Sequence, residues 1–126
     1  MRKGKRKDAI KVLKQAAFLD PKDEATKNTL SGAYLKLKDY DQAIKYAKAA
    51  LELESNLPGA HFNLAMCYFK KEDPLNALQH IEQAEKQYLE VENNQWSSKS
   101  RHVKGLIMKK FNIDPSELKT ETETES

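Results

Sequence analysis

"LSGAYLKLKDYDQAIKYAKAALELES" (30–55) and "LAMCYFKKEDPLNALQHIEQAEKQYL" (64–89) decide how this chain folds. Set one above the other, they match at a constant offset of 34: Leu30 with Leu64, Tyr34 with Tyr68, Asp39 with Asp73, Ala43 with Ala77 and Ala50 with Ala84. Self-similarity at a fixed period marks a structural unit that buries its apolar face only by stacking on its neighbours. Leu30, Tyr34 and Leu37 recur at i, i+4 and i+7 and so share one face of a helix, as do Leu64 and Tyr68. Asp39, with Gln42 three residues on, is a capping-box signal for the start of a second helix. Asp73-Pro74 serves the same end: the carboxylate accepts from free N–H groups, and proline fits the first helical position. Ala43, Ala47 and Ala50, and again Ala77 and Ala84, line that second helix with small side chains that let its partner approach closely. A strand reading of "YLKLKDY" (34–40), where leucine alternates with lysine, fails at the equivalent "YFKKEDP" (68–74), which does not alternate. Each unit therefore reads as two antiparallel helices.

A 34-residue period carrying these residues resembles the tetratricopeptide repeat. The resemblance runs over roughly residues 1–90. It implies an all-α fold, a right-handed α-α superhelix. Two full repeats (24–57 and 58–91) follow a half repeat (1–22), and together they make a repeat domain over 1–92. The half repeat comes from the opening "MRKGKRKDAIKVLKQAAFLDP" (1–21): subtracting 34 from Ala43 and Ala50 lands on Ala9 and Ala16, Pro21 falls at the family's closing proline, and Gly4 falls in the turn between paired helices. The face carrying Ile10, Leu13 and Ala17 then lacks its usual partner helix; the following repeat is expected to cover part of it, and whatever strip stays uncovered favours self-association through the half repeat or docking of another segment. Beyond residue 92 the frame is lost. Trp96, Val103, Leu106, Ile107 and Phe111 suggest a capping helix over 93–113 that covers the last repeat. The acidic "DPSELKTETETES" (114–126) has almost nothing to bury and is expected to be a disordered tail.

The sequence departs from the family pattern in three places. Ser31 and Ala65 stand for a common glycine, and Lys27 and His61 stand for a large aromatic; both changes imply slightly looser packing. Ser55 and Leu89 stand for the closing proline, so the helix carrying Ala77 and Ala84 is expected to run past Gln87 to about Val91.

At 126 residues, with 33% charged and 39% hydrophobic side chains, the composition is that of a single soluble domain. The uncharged run from Leu57 to Phe69 is too short to cross a bilayer, and no apolar segment follows the N-terminal charges as in a secretory signal. One cysteine, Cys67, cannot pair within the chain and fits a cytoplasmic setting. The formal charge of +3 is polarised: residues 1–15 hold seven Lys/Arg against one Asp, and 114–126 hold five acids against one Lys. Arg2, Lys3, Lys5, Arg6 and Lys7 raise a nucleic-acid alternative. With no aromatic residue interleaved and no nucleic-acid motif, a solvated surface is the preferred reading.

No catalytic signature emerges. His61, His80 and His102 lack metal-ligand spacing to one another or to Cys67, there is no glycine-rich phosphate loop, and no nucleophile lies beside a base. Cys67 reads as a buried, inert thiol. The expectation is a protein without enzymatic activity, metal or cofactor. The resemblance implies instead that the first helix of each pair lines a groove for a peptide or a partner's helix. The helix around Leu64 carries two apolar stripes: His61, Leu64, Ala65 and Tyr68 face the paired helix, while Phe62, Met66 and Phe69 form a second stripe. That second stripe is either a groove patch for a partner or a surface buried by the capping helix with Trp96. The equivalent positions one repeat earlier are Asn28, Gly32 and Leu35. Asn63 adds a polar contact, and Lys36 and Lys70 sit at the groove edge with charge for an acidic segment. Some members of the family clamp the acidic C-terminus of heat-shock chaperones. Asn63 matches one clamp asparagine, but Asn28 and Gly32 stand where the clamp needs Lys and Asn, so that activity is not expected. The site expected from sequence is therefore Asn28, Gly32, Leu35, Lys36, Phe62, Asn63, Met66, Phe69 and Lys70, binding a protein partner. A non-binding piece of a longer solenoid is the remaining alternative.

Overall fold

The structure, a computed structural model, describes residues 3–116; the acidic run 117–126, with most of the tail expected to be disordered, lies outside the described residues. Within them the chain forms six helices: α1 (Lys3–Leu19), α2 (Glu24–Lys36), α3 (Tyr40–Leu53), α4 (Pro58–Lys70), α5 (Pro74–Glu90) and α6 (Asn94–Lys110). Pairs α2–α3 and α4–α5 are the two repeat units, α1 packs ahead of them on α2, and α6 closes the stack against α5. The fold is an all-α solenoid.

The boundaries follow from local chemistry. Asp23, Asp39, Asp73 and Asn93 cap α2, α3, α5 and α6, each carboxylate or amide oxygen accepting backbone N–H groups of the first turn. Helix α4 has no such side chain and starts instead with Pro58, whose missing N–H and fixed φ suit that position. Only half of the capping box at Asp39 forms. Its side chain accepts from the Gln42 N–H at 3.3 Å, but its own N–H is taken by the Tyr34 carbonyl at 3.0 Å.

That last bond belongs to a device used four times. Lys38, Glu72, Glu92 and Asn112 each follow a helix with φ between 54° and 64°, in the left-handed region. The next residue's N–H reaches back five positions, as in Asp39 to Tyr34, Asp73 to Tyr68 (2.9 Å), Asn93 to Tyr88 (2.8 Å) and Ile113 to Met108 (2.8 Å). Glycine is the usual occupant of this position because a Cβ is strained there. Glu72→Gly is therefore expected to raise stability by ~0.5 kcal/mol, seen as a rise of about 2 °C in Tm by calorimetry. The family frame puts Gly4 in a turn between paired helices. The structure corrects that: Gly4 lies inside α1 with ordinary φ, because among the described residues no helix precedes it and no reversal is needed.

The core runs the length of the stack. Ile10, Leu30, Tyr34, Ala43 and Cys67 join α1 to α4; Ala47, Ala60 and Leu64 join α3 to α4; Ala65, Ala77, Leu78, Ile81, Val103 and Ile107 join α4, α5 and α6. The alanines are fully buried, as close helix approach requires. Two expectations change here. Packing at Ser31 and Ala65 is not loosened: both are fully buried, and the Ser31 hydroxyl donates to the Ala43 carbonyl at 2.8 Å, tying α2 to α3. Nor is the face of Ile10, Leu13 and Ala17 uncovered. Ile10 is buried, and Leu13 and Ala17, half-buried, pack with it against Leu30 and Tyr34, so the following repeat covers much of this strip. The apolar surface left there for self-association is smaller than the sequence suggests. Exposure on α1 falls instead on Val12, Phe18 and Leu19.

Candidate partner-binding surface

Helices α2 and α4 are the first helices of their units and lie side by side. Their facing sides are set by the 34-residue offset. Asn28 on α2 and Asn63 on α4 meet across the gap, the Asn63 Nδ2 donating to the Asn28 Oδ1 at 3.1 Å. Two glycines shape this place. A Cβ on Gly59 would stand 3.0 Å from the Asn28 Nδ2 and 3.7 Å from the Tyr88 hydroxyl, so glycine is what lets the Asn28 amide lie against the first turn of α4. Gly32, one turn beyond Asn28, is roomier: a Cβ there would meet only the Asn63 Nδ2, at 3.8 Å. Leu35 is half-buried and packs partly into the Tyr34 cluster.

Lys36 and Lys70 end their helices, are exposed, and make no ion pair among the described residues. Arg6 of α1 reaches the Lys36 carbonyl at 3.4 Å, a cation at a helix C-terminus where the backbone leaves carbonyls free. Lys71 pairs with Asp41, linking the two helix-pair turns along this edge.

The second apolar stripe of α4 meets α6. Phe62 makes an edge-to-face contact with Trp96 (centroids 5.2 Å apart, planes at 84°), and Trp96 in turn stacks on Tyr88 at 5.8 Å. Phe69 meets Phe111 at 6.3 Å, and Met66 packs on the cluster that holds Val103 and Ile107. Lys99 and Lys110 lie over these rings, with Nζ 4.4 Å from the Trp96 centroid and 4.9 Å from that of Phe69. Of the two readings of this stripe, packing by the capping helix accounts for much of its surface; Phe62, Met66 and Phe69 remain half-buried rather than sealed.

The structure thus brings Asn28, Gly32 and Asn63 into one patch, with Leu35 and Lys36 one turn further along α2. It places Phe62, Met66 and Phe69 beside that patch under α6, and Lys70 at the rim. Arg6, Gly59, Tyr88 and Trp96 join this surface without being among the residues expected from sequence. Trp96 carries a signal, since it lies one further offset of 34 beyond Phe62, which itself is 34 beyond Asn28. Gly59 and Tyr88 carry none, because their meeting depends on the α4–α5 packing. Cys67 is fully buried, and burial pushes its thiol up to about 11, well away from the reactive thiolate. Among the described residues no three His, Cys, Asp or Glu side chains converge as a metal site, and no helix is long and apolar enough to cross a membrane.

Comparison with known proteins bears on this arrangement. Two profiles of the tetratricopeptide repeat match the chain, one over residues 28–88 and one over residues 1–46. Solved structures similar to it include PcrH in complex with the chaperone binding region of PopD, with TM-score 0.79 and 19% identity over 85% of this chain and 81% of that one. Another is the Yersinia enterocolitica type III secretion translocator chaperone SycD, with TM-score 0.81 and 22% identity over 86% and 76%. At these identities the likeness is one of fold. A search of the curated proteins gave no significant match. With the period, the paired helices and two overlapping profile matches in agreement, the chain belongs to the tetratricopeptide repeat family.

Proposed function

We propose that this protein is a non-catalytic adaptor that holds a peptide or helix of a partner protein across α2 and α4. The observation that carries the reading is the Asn28–Asn63 amide pair. One hydrogen bond joins the two, and the Asn28 Nδ2 and Asn63 Oδ1 make none within the described residues. The pair therefore keeps one donor and one acceptor in reserve, which suits the backbone of an incoming segment. Gly32 leaves room for that backbone, Leu35 and the accessible parts of Phe62, Met66 and Phe69 give apolar contact, and Lys36 and Lys70 favour an acidic partner. The fold neighbour PcrH is described in complex with the chaperone binding region of PopD, which supports the reading that this architecture holds a segment of another protein.

The test uses Gly32→Leu rather than changes at Phe62 or Met66, which would disturb the packing under α6. Leucine fills the open position, and leaving glycine behind favours the helix by ~0.5–1 kcal/mol. The variant is expected to melt no lower than wild type and to lose at least tenfold of the partners recovered by affinity purification and mass spectrometry. Recovery of the same partners at the same level by a folded Gly32→Leu protein would overturn the proposal.

A further inference from the structure

The interface between α4 and α5 holds an arrangement that the binding reading does not use. His61 of α4 and His80 of α5 meet there with their Nδ1 atoms 3.0 Å apart. The ring planes lie 27° apart with centroids at 5.2 Å, so the two imidazoles meet edge to edge through these nitrogens, and the Tyr68 ring lies nearly parallel to His80 at 5.8 Å and 9°. Both imidazoles are half-buried. Two Nδ1 atoms at this distance share a hydrogen bond only when one carries a proton and the other presents a lone pair. An imidazolium has no lone pair, so a pair in which both rings are charged points two N–H groups at each other.

We propose that the His61–His80 pair is a proton-sensitive latch on the second repeat: it is closed with a single proton between the two Nδ1 atoms and opens when both rings are protonated. Either ring can be the Nδ1 donor; the closed pair needs one ring protonated on Nδ1 and a lone pair on the Nδ1 of the other. The groups that act on the pair are Lys48 from α3, whose Nζ lies 6.0 Å from the Tyr68 centroid, Tyr68 from α4, and the Ser55 carbonyl before α4. No carboxylate, and no charged group of α2 or α6, contributes to the shift of either ring. Among the described residues neither ring forms an ion pair with a carboxylate that would offset a second positive charge.

The titration follows in direction. Burial, then the neighbouring His61, then Lys48 push His80 down to about 4; burial lowers His61. Both lie below the unfolded value of about 6.5, so the folded state favours the neutral rings. The latch contributes its full stability above that value and loses it as pH falls toward about 4. The two rings titrate as a coupled pair. The α2–α3 pair carries no histidine, since the chain's three are His61, His80 and His102, so the response of this histidine pair is confined to the second repeat. Helix α4 also supplies Phe62, Asn63 and Met66, and an open latch disturbs that face as well. The latch itself is a property of the fold and stands whether or not the surface binds a partner.

Two measurements on the full chain decide the matter. Long-range nitrogen–proton NMR spectra of the imidazoles at pH 7.5 should show one of the two rings protonated on Nδ1 and the other on Nε2, with both rings taking further protons only below the ordinary histidine range. Amide hydrogen exchange, corrected for its intrinsic pH dependence, should show α4 and α5 losing at least tenfold more protection than α2 and α3 between pH 6.5 and 4.5. That difference should shrink severalfold in His80→Phe, which keeps a ring against Tyr68 and cannot be protonated, leaving only the smaller response of the buried His61. Both rings protonated on Nε2 at pH 7.5, equal loss of protection in the two helix pairs, or an unchanged difference in a folded His80→Phe would each overturn the latch. If His80→Phe does not fold, the imidazole spectra of the wild-type chain decide alone.

Discussion

Ile107→Asp is expected to detach α6 from the stack. Ile107 is fully buried among Ile81, Leu78 and Val103, where an aspartate would be surrounded by apolar side chains. Placing an unpaired carboxylate there costs on the order of 4 kcal/mol or more, enough to favour leaving α6 undocked over keeping it in place. Trp96 is the single tryptophan of the chain and sits between Phe62 and Tyr88, so it reports this directly. Its fluorescence should shift to the red, the dye ANS should bind to the newly exposed Phe62, Met66 and Phe69, and Tm should fall by about 10 °C or more. Leu106→Asp on the same helix, where the side chain is already 43% exposed, should leave Trp96 emission nearly unchanged. An Ile107→Asp protein with native tryptophan emission and native Tm would mean that α6 is not held by this contact.

Leu64→Ala should be nearly as damaging, by a different route. Leu64 has no exposed surface and packs with Ala47 and Ala60, the small cluster that joins α3 of the first repeat to α4 of the second. Truncation leaves a cavity that alanine neighbours cannot fill, at a cost of ~2–5 kcal/mol. Because stability in a repeat stack is a sum of unit and interface terms, the loss falls on the coupling between repeats. Denaturant unfolding is therefore expected to change from one transition to two, the second repeat with α6 separating from the first with α1. A single transition with an unchanged midpoint would show that the coupling lies elsewhere.

Most of the fold is legible in the repeat. The 34-residue offset locates all five helices of the repeat domain, and the apolar spacing around Trp96 locates the sixth. Replacement of the closing proline by Leu89 correctly lengthens α5, which ends at Glu90 with Val91 as its cap. What the period does not carry is the set of contacts between units. For Ile10, Leu13 and Ala17 the frame allows partial cover by the neighbouring repeat but does not say how much; the packing buries Ile10 and half-buries the other two. Register alone assigns Gly4 to a turn, although a turn exists only where two helices must reverse. At the candidate site, Asn28, Gly32 and Asn63 are visible as equivalent or near-equivalent groove positions, but their hydrogen bond and the role of Gly59 are not. Those depend on the lateral distance between α2 and α4, which no one-dimensional pattern states. The histidine pair is hidden for the same reason: His61 and His80 lie on different helices, 19 residues apart, and meet only through α4–α5 packing.

The most direct test of the binding proposal is a hydrogen-exchange footprint of the protein in complex with a partner recovered through it. Protection on binding is expected along α2 and α4, centred on Asn28, Gly32 and Asn63 and extending to Lys36 and Lys70. A footprint confined to the exposed Val12, Phe18 and Leu19 face of α1, with α2 and α4 unchanged, would contradict it.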